Sequence, residues 1–166
     1  MIEVTIDSIR VSLMSQHRVV ILKDSGSDRY LPIWIGACEA DAITIELQGV
    51  EVARPFTHDL LKSVIQQLGA KIKSVLINDL HNEVFYAQVV LDVNGRRMEV
   101  DSRPSDALAL AVRAKVPIFV NEAVMDKAAI TPEEDMSEGV GDDKLKGSPF
   151  RDLIDGLNLD DFGEEK

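Results

Sequence analysis

The chain has 166 residues, 45% of them hydrophobic, with a net charge of −11 and a single cysteine. That length fits one domain with a real core, and one thiol excludes an intrachain disulfide framework. The apolar runs are only a few residues long, far short of a membrane span, and the opening Met1-Ile2-Glu3-Val4 lacks a secretory pattern, so a reducing cytoplasm is the expected compartment.

The acidity is unevenly spread. Residues 132–166 hold twelve acids and four bases, a net of −8, whereas the residues before them carry only −3. The expected organisation is therefore a domain over 1–131 and an acidic, partly disordered tail over 132–166, with Phe150 to Ile154 as a short amphipathic turn.

Residues 2–14 read as a long strand. Val4 and Ile6 are out of phase with Ile9, Val11 and Leu13, so a bulge is expected near Ser8. Arg18 to Lys23 is apolar on both faces and should be a central strand. Asp24 to Asp28 is turn chemistry, and Tyr30 to Ile35 is a strand whose Pro32 prefers an edge. Ala37 to Gln48 reads as a helix stopped by Gly49, with Ala40, Ile43 and Leu47 inward. Glu39 and Asp41 near its start suit the helix dipole. Cys38 has no basic neighbour in sequence and reads as a packing residue.

A second helix follows Arg54-Pro55-Phe56-Thr57, with Thr57 as the expected N-cap and Leu60, Leu61, Val64, Ile65 and Leu68 as the expected core face. His58 and Asp59 then fall on its polar side, where a lone histidine is ordinarily solvated. Lys71 to Ile77 is strand-like. Asn94-Gly95 joins Glu83–Val93 to Arg96–Asp101 as a two-residue hairpin. That loop pairs Leu91 with Met98, Val89 with Val100 and Asp92 with Arg97, three matches that agree on one register. Lys71, Lys73, Arg96 and Arg97 make a modest basic face, more simply read as solvated strand positions.

The hairpin delivers Asp101 to a polar corner, Asp101-Ser102-Arg103-Pro104-Ser105-Asp106, that opens an almost wholly apolar helix over 104–115. Pro104 suits a first helical turn. Asp101, Ser102 and Ser105 are residue types that cap first-turn N–H groups. The corner is thus either a well-capped helix start or a place where carboxylates and a guanidinium gather to hold an anion or a divalent metal. Pro117 to Val120 is a final short strand and Glu122 to Ala129 a short helix. The order of elements favours an α+β fold: a mixed or antiparallel sheet with three main helices.

No phosphate loop, zinc spacing, nucleophile elbow or dinucleotide fingerprint is present. Three stretches instead resemble one family. Leu31-Pro32-Ile33-Trp34-Ile35-Gly36 with Glu39-Ala40 is similar to the first signature of the bifunctional nuclease domain family. Arg54-Pro55-x-Thr57-His58-Asp59-Leu60 is similar to the second, and Asp101 to Ala107 with Ala109-Leu110-Ala111 to the third. The resemblance covers about residues 1–130. It implies an α+β fold, hydrolysis of RNA and DNA, and a homo-oligomer. On that basis Glu39, His58, Asp101, Arg103 and Asp106 are candidate catalytic residues, and Arg54, Arg103 and Ser105 candidate substrate contacts. Glu39, Asp59, Asp101 and Asp106 are candidate ligands for Mg²⁺ or Mn²⁺. The alternative is a non-catalytic module in which the same residues form an ion-pair network, Arg103 pairing with Asp59 or Glu39.

Overall fold

A computed structural model describes residues 1–12 and 16–131; Leu13 and the acidic tail lie outside the described residues. Among the described residues seven strands form one curled, mixed sheet and four helices accompany them, an α+β fold. The strands are β1 (Ile2–Val11), β2 (Arg18–Asp24), β3 (Tyr30–Ile35), β4 (Ala70–His81), β5 (Val84–Val93), β6 (Arg96–Ser102) and β7 (Ile118–Val120). The helices are α1 (Ala37–Leu47), α2 (Thr57–Gln67), α3 (Pro104–Ala114) and α4 (Glu122–Ala128). None of the described helices is long and apolar enough to cross a membrane.

The sheet order is β3-β2-β1-β7-β4-β5-β6. Two antiparallel meanders are thus joined by the three-residue β7. It runs antiparallel to β1 and parallel to β4. Its central place explains why Ile118 and Val120 are buried. The bulge in β1 lies between Ile6 and Ser8, where the phase of the apolar residues slips. Pro32 sits on the edge strand β3, where its missing N–H costs no ladder bond. Asp24 is buried at 5% exposure and accepts from the Gly26 N–H, the Ser27 hydroxyl and the Arg29 guanidinium, which closes the β2–β3 turn.

The Asn94-Gly95 hairpin has the register read from its sequence: Leu91 opposite Met98, Val89 opposite Val100, Asp92 opposite Arg97. β4 runs on past Ile77 to His81 and turns into β5 through Asn82 and Glu83, both in the left-handed region at φ 49 and 63. Glu83 in that conformation is the reason the turn is hard to see, since a glutamate is rarely placed there. On the outer face Asp92 lies between Lys71 and Arg97, and Arg97 pairs with Glu99, so the basic residues there alternate with acids.

α3 is the buried helix, with Ala107 to Ala111 at 0–1% exposure. Its N-terminus differs from the expectation. Arg103 occupies the N-cap without a side-chain cap, and Ser102 donates to the Arg103 carbonyl instead. In α1, Ala40 and Ile43 point inward, but Leu47 is 53% exposed.

α2 departs furthest from its sequence pattern. Thr57 is its first helical residue, not its cap. Asp59 does the capping by accepting from the Phe56 N–H at 2.8 Å. Of the expected core face only Ile65 packs against the core; Leu60, Leu61, Val64 and Leu68 are exposed. The helix turns the His58–Asp59–Lys62–Ile65 side inward because α3 presents polar partners there. Lys62 donates to the Arg113 carbonyl at 2.6 Å, and Arg113 donates to Asp59 at 2.7 Å.

Candidate functional site

The three motifs meet at the N-terminal end of α3. Arg103 leaves β6 through an extended backbone, and its guanidinium reaches both ways. Its Nε donates to Asp106 Oδ2 at 2.7 Å and an Nη donates to Glu39 Oε1 at 2.6 Å. The other Asp106 oxygen, Oδ1, lies 3.1 Å from His58 Nε2. One chain of contacts therefore runs Glu39–Arg103–Asp106–His58 across α1, α3 and α2.

The members differ in exposure. The His58 side chain is 10% exposed and Glu39 15%, whereas Arg103 is 66% exposed. The imidazole is fixed from below while the guanidinium faces solvent. When Nε2 donates to the Asp106 carboxylate, the neutral ring keeps Nδ1 as an acceptor. Partial burial alone would raise the Asp106 carboxyl. The hydrogen bonds from Arg103 and His58, with the Arg103 charge, outweigh it and hold the group below its ordinary value. Asp106 first, then Glu39, hold the Arg103 cation more firmly than usual.

Glu39 owes its seat to Gly36. A Cβ at Gly36 would collide with the Glu39 carboxylate, so the glycine of the first motif is a close-approach position. Its φ of −69 makes no demand of its own.

A second polar centre lies two turns along α3. Arg113 is only 3% exposed and donates to Asp59 Oδ1 and to the carbonyls of Ala109 and Ala42. Burial would raise the Asp59 carboxyl, but the Phe56 N–H and Arg113 hold it below its ordinary value of 3.8. Asp59 is therefore a partner of Arg113 and not of Arg103. Arg113 lies outside the three motifs, near the helix end, where a cation ordinarily serves only the helix dipole. The signal was there: a lone cation inside a helix apolar on every side must be buried and paired.

The structure brings together Glu39, His58, Arg103 and Asp106. It does not bring Asp101 to them. Val89 and Leu91 face the core, so their partners Val100 and Met98 share the helix side, and strand alternation turns Asp101, opposite Gln88, to the other face. Ser105 is buried, at 6% exposure. Arg54 lines a separate cavity of about 290 Å³, with Asp59, Arg113 and Phe56. Cys38 is exposed, not packed.

The set Glu39, Asp59, Asp101 and Asp106 does not fit a Mg²⁺ or Mn²⁺ cage as these residues are placed. Asp59 is committed to Arg113, Asp101 faces away, and the guanidinium of Arg103 occupies the place between Glu39 and Asp106. Among the described residues no group of three or more His, Cys, Asp or Glu is arranged to hold a metal ion.

Folded-state titration gives the site a pH signature. Asp59 and Asp106 both titrate lower folded than unfolded, so the stability they contribute is present above their ordinary value of 3.8 and is lost as pH falls through the folded values. Urea unfolding is expected to show stability falling steeply below about pH 4. Asp59→Asn should be less stable at neutral pH and should lose less on acidification. An unchanged acid slope in the variant would remove Asp59 from this role.

The profile of the bifunctional nuclease domain matches residues 20–133. An uncharacterised protein of Mycobacterium tuberculosis strain H37Rv is 42% identical over 164 residues, covering 96% of this chain and 97% of that protein. Bifunctional nuclease 2 of Oryza sativa subsp. japonica is 30% identical over 141 residues, 83% of this chain and 43% of the rice protein. Bifunctional nuclease 1 of Arabidopsis thaliana is 31% identical over 110 residues, 64% and 34% respectively. The matches span less than half the length of these plant relatives.

Proposed function

The chain belongs to the bifunctional nuclease domain family, and on that premise we propose that the Arg103 cluster hydrolyses phosphodiester bonds in RNA and DNA. The observation that carries the reading is a guanidinium bonded to two carboxylates yet 66% exposed. Two of its N–H groups are engaged. The others are open to the non-bridging oxygens of a phosphate, which Arg recognises well in planar, paired geometry.

His58 acts beside it as the proton-transfer group. A water held at Nδ1 gives its proton to the ring as its oxygen attacks phosphorus. The ester P–O bond on the far side breaks, and the proton passes to the departing oxygen. Asp106 fixes the ring tautomer through Nε2 and balances the imidazolium that forms. Arg103 meets the charge that builds on the phosphate, the role in which a preorganised cation gains most. Arg54, on the cavity at the other side of the first turn of α2, meets a flanking phosphate.

No step here calls on a metal, because Arg103 is the cation between the carboxylates. Cleavage of labelled RNA and DNA oligonucleotides is expected to persist in excess EDTA. Loss of cleavage on chelation would mean that a divalent ion displaces the guanidinium.

A second reading has one observation in its favour: both oxygens of Asp106 are already engaged within the chain. In that reading the cluster only locks α1, α2 and α3 together and the domain binds without turnover. Absence of cleavage of any RNA or DNA oligonucleotide by pure, folded protein would favour it.

A further inference from the structure

We propose that the cavity beside the first turn of α2 is a pocket for one unpaired guanine base of the bound strand. The choice of a nucleotide rests on the hydrolytic reading above; the choice of base rests on the cavity itself. The end of α1, the loop after it and the start of α2 line a space of about 290 Å³. That is the lower end of the range for small-molecule sites, room for a single ring system. One wall is the Asp59–Arg113 pair, and it offers a ligand no free charge. Asp59 Oδ1 accepts from Arg113 and Oδ2 from the Phe56 N–H, while the other Arg113 nitrogens donate to backbone carbonyls.

Glu46 and Arg54 line the same cavity and differ from that pair. Neither has an ion-pair partner among the described residues. Glu46 sits in the last turn of α1, which has no basic residue, so the helix dipole disfavours its charge. A carboxylate held against the local field on a cavity wall is free to accept from a ligand. Phe56 supplies the flat apolar surface. Its N–H is bonded to Asp59 and its carbonyl to the Leu60 N–H, so its backbone is fixed while the side chain stays 43% exposed. Val50 and Val52 extend the apolar wall. A base stacked on such a ring gains without regard to its sequence.

Hydrogen bonding then selects the base. A carboxylate presents two acceptors side by side and is best met by two parallel N–H donors. Guanine alone among the standard bases carries two adjacent donors, N1–H and the N2 amino group, on its pairing edge. Adenine and cytosine offer one amino group beside a ring acceptor, and uracil and thymine one N–H between two carbonyls. Glu46 therefore takes the guanine edge, Phe56 its face and Arg54 its phosphate. In a duplex that edge is already paired, so the strand must be single at this point. His58 and Asp59 are consecutive in α2, so the nucleotide in the cavity neighbours the bond held at the Arg103 cluster.

Mononucleotides contain no diester, so they probe the pocket whether or not the chain cleaves. The isotope-labelled full chain is titrated by NMR with guanosine monophosphate and with inosine monophosphate, which lacks only the N2 amino group. The guanosine form is expected to shift the amides of Val50, Val52 and Phe56 and to bind roughly tenfold more tightly, the worth of one hydrogen bond to a charged acceptor. Glu46→Gln should remove the difference between the two nucleotides, and Phe56→Leu should weaken both alike. Equal affinities in the wild type, or shifts confined to Arg103 and its neighbours, would overturn the pocket. The two readings fail separately. Guanosine-selective binding by a protein that cleaves no oligonucleotide would keep the pocket and remove the hydrolysis, and cleavage by a protein indifferent to the N2 amino group would do the reverse.

Discussion

Asp59→Ala is expected to destabilise the fold by about 3–5 kcal/mol, the cost of breaking a buried pair so that one charge is stranded. Arg113 is the partner left behind, and at 3% exposure its guanidinium cannot turn to water. It would keep only the carbonyls of Ala109 and Ala42. The reverse change, Arg113→Met, should cost less. Asp59 is 28% exposed and still accepts from the Phe56 N–H at the start of α2, so its charge is partly met by solvent and by the helix dipole. The double variant should be more stable than Asp59→Ala alone, because it removes the stranded charge. For a chain of this size each 1 kcal/mol moves the melting midpoint by roughly 2–4 °C, so the Asp59→Ala shift should be on the order of 10 °C. Equal losses in both single variants that simply add in the double would contradict this account of the pair.

Much of the scaffold was legible in the residues. The phase slip near Ser8, the Asn94-Gly95 turn and Pro32 on an edge strand each rest on a local rule of sterics or pairing, and local rules survive folding. The meeting of Glu39, His58, Arg103 and Asp106 was legible only through the resemblance of three separated motifs, since no spacing rule connects residues on three helices. What failed was what depends on the neighbour. The apolar stripe of α2 looks like a core face, because periodicity reports that a helix has two sides and not which side is covered. Here Arg113 and Asp106 on α3 offer polar partners that draw His58, Asp59 and Lys62 inward, and the hydrocarbon is left outside. Asp101 lies apart from the cluster for a related reason. Its motif placed it beside Arg103, but a strand alternates its faces, so adjacency in sequence became separation in space.

The most direct test of the cluster as a hydrolytic centre is the single-turnover cleavage rate of His58→Ala beside the wild type, on the same RNA and DNA oligonucleotides and per folded molecule. His58 is 8% exposed as a residue, and its Nε2 faces Asp106. Its removal takes away the proton-transfer group and leaves Arg103 bound to Glu39 and to the other Asp106 oxygen. General acid–base groups supply about 10²–10⁴-fold in rate. The expected result is a loss of that size on both substrates with the protein still folded. A variant that cleaves either substrate at the wild-type rate would contradict the assignment, and hydrolysis by this chain would have to be sought away from Arg103.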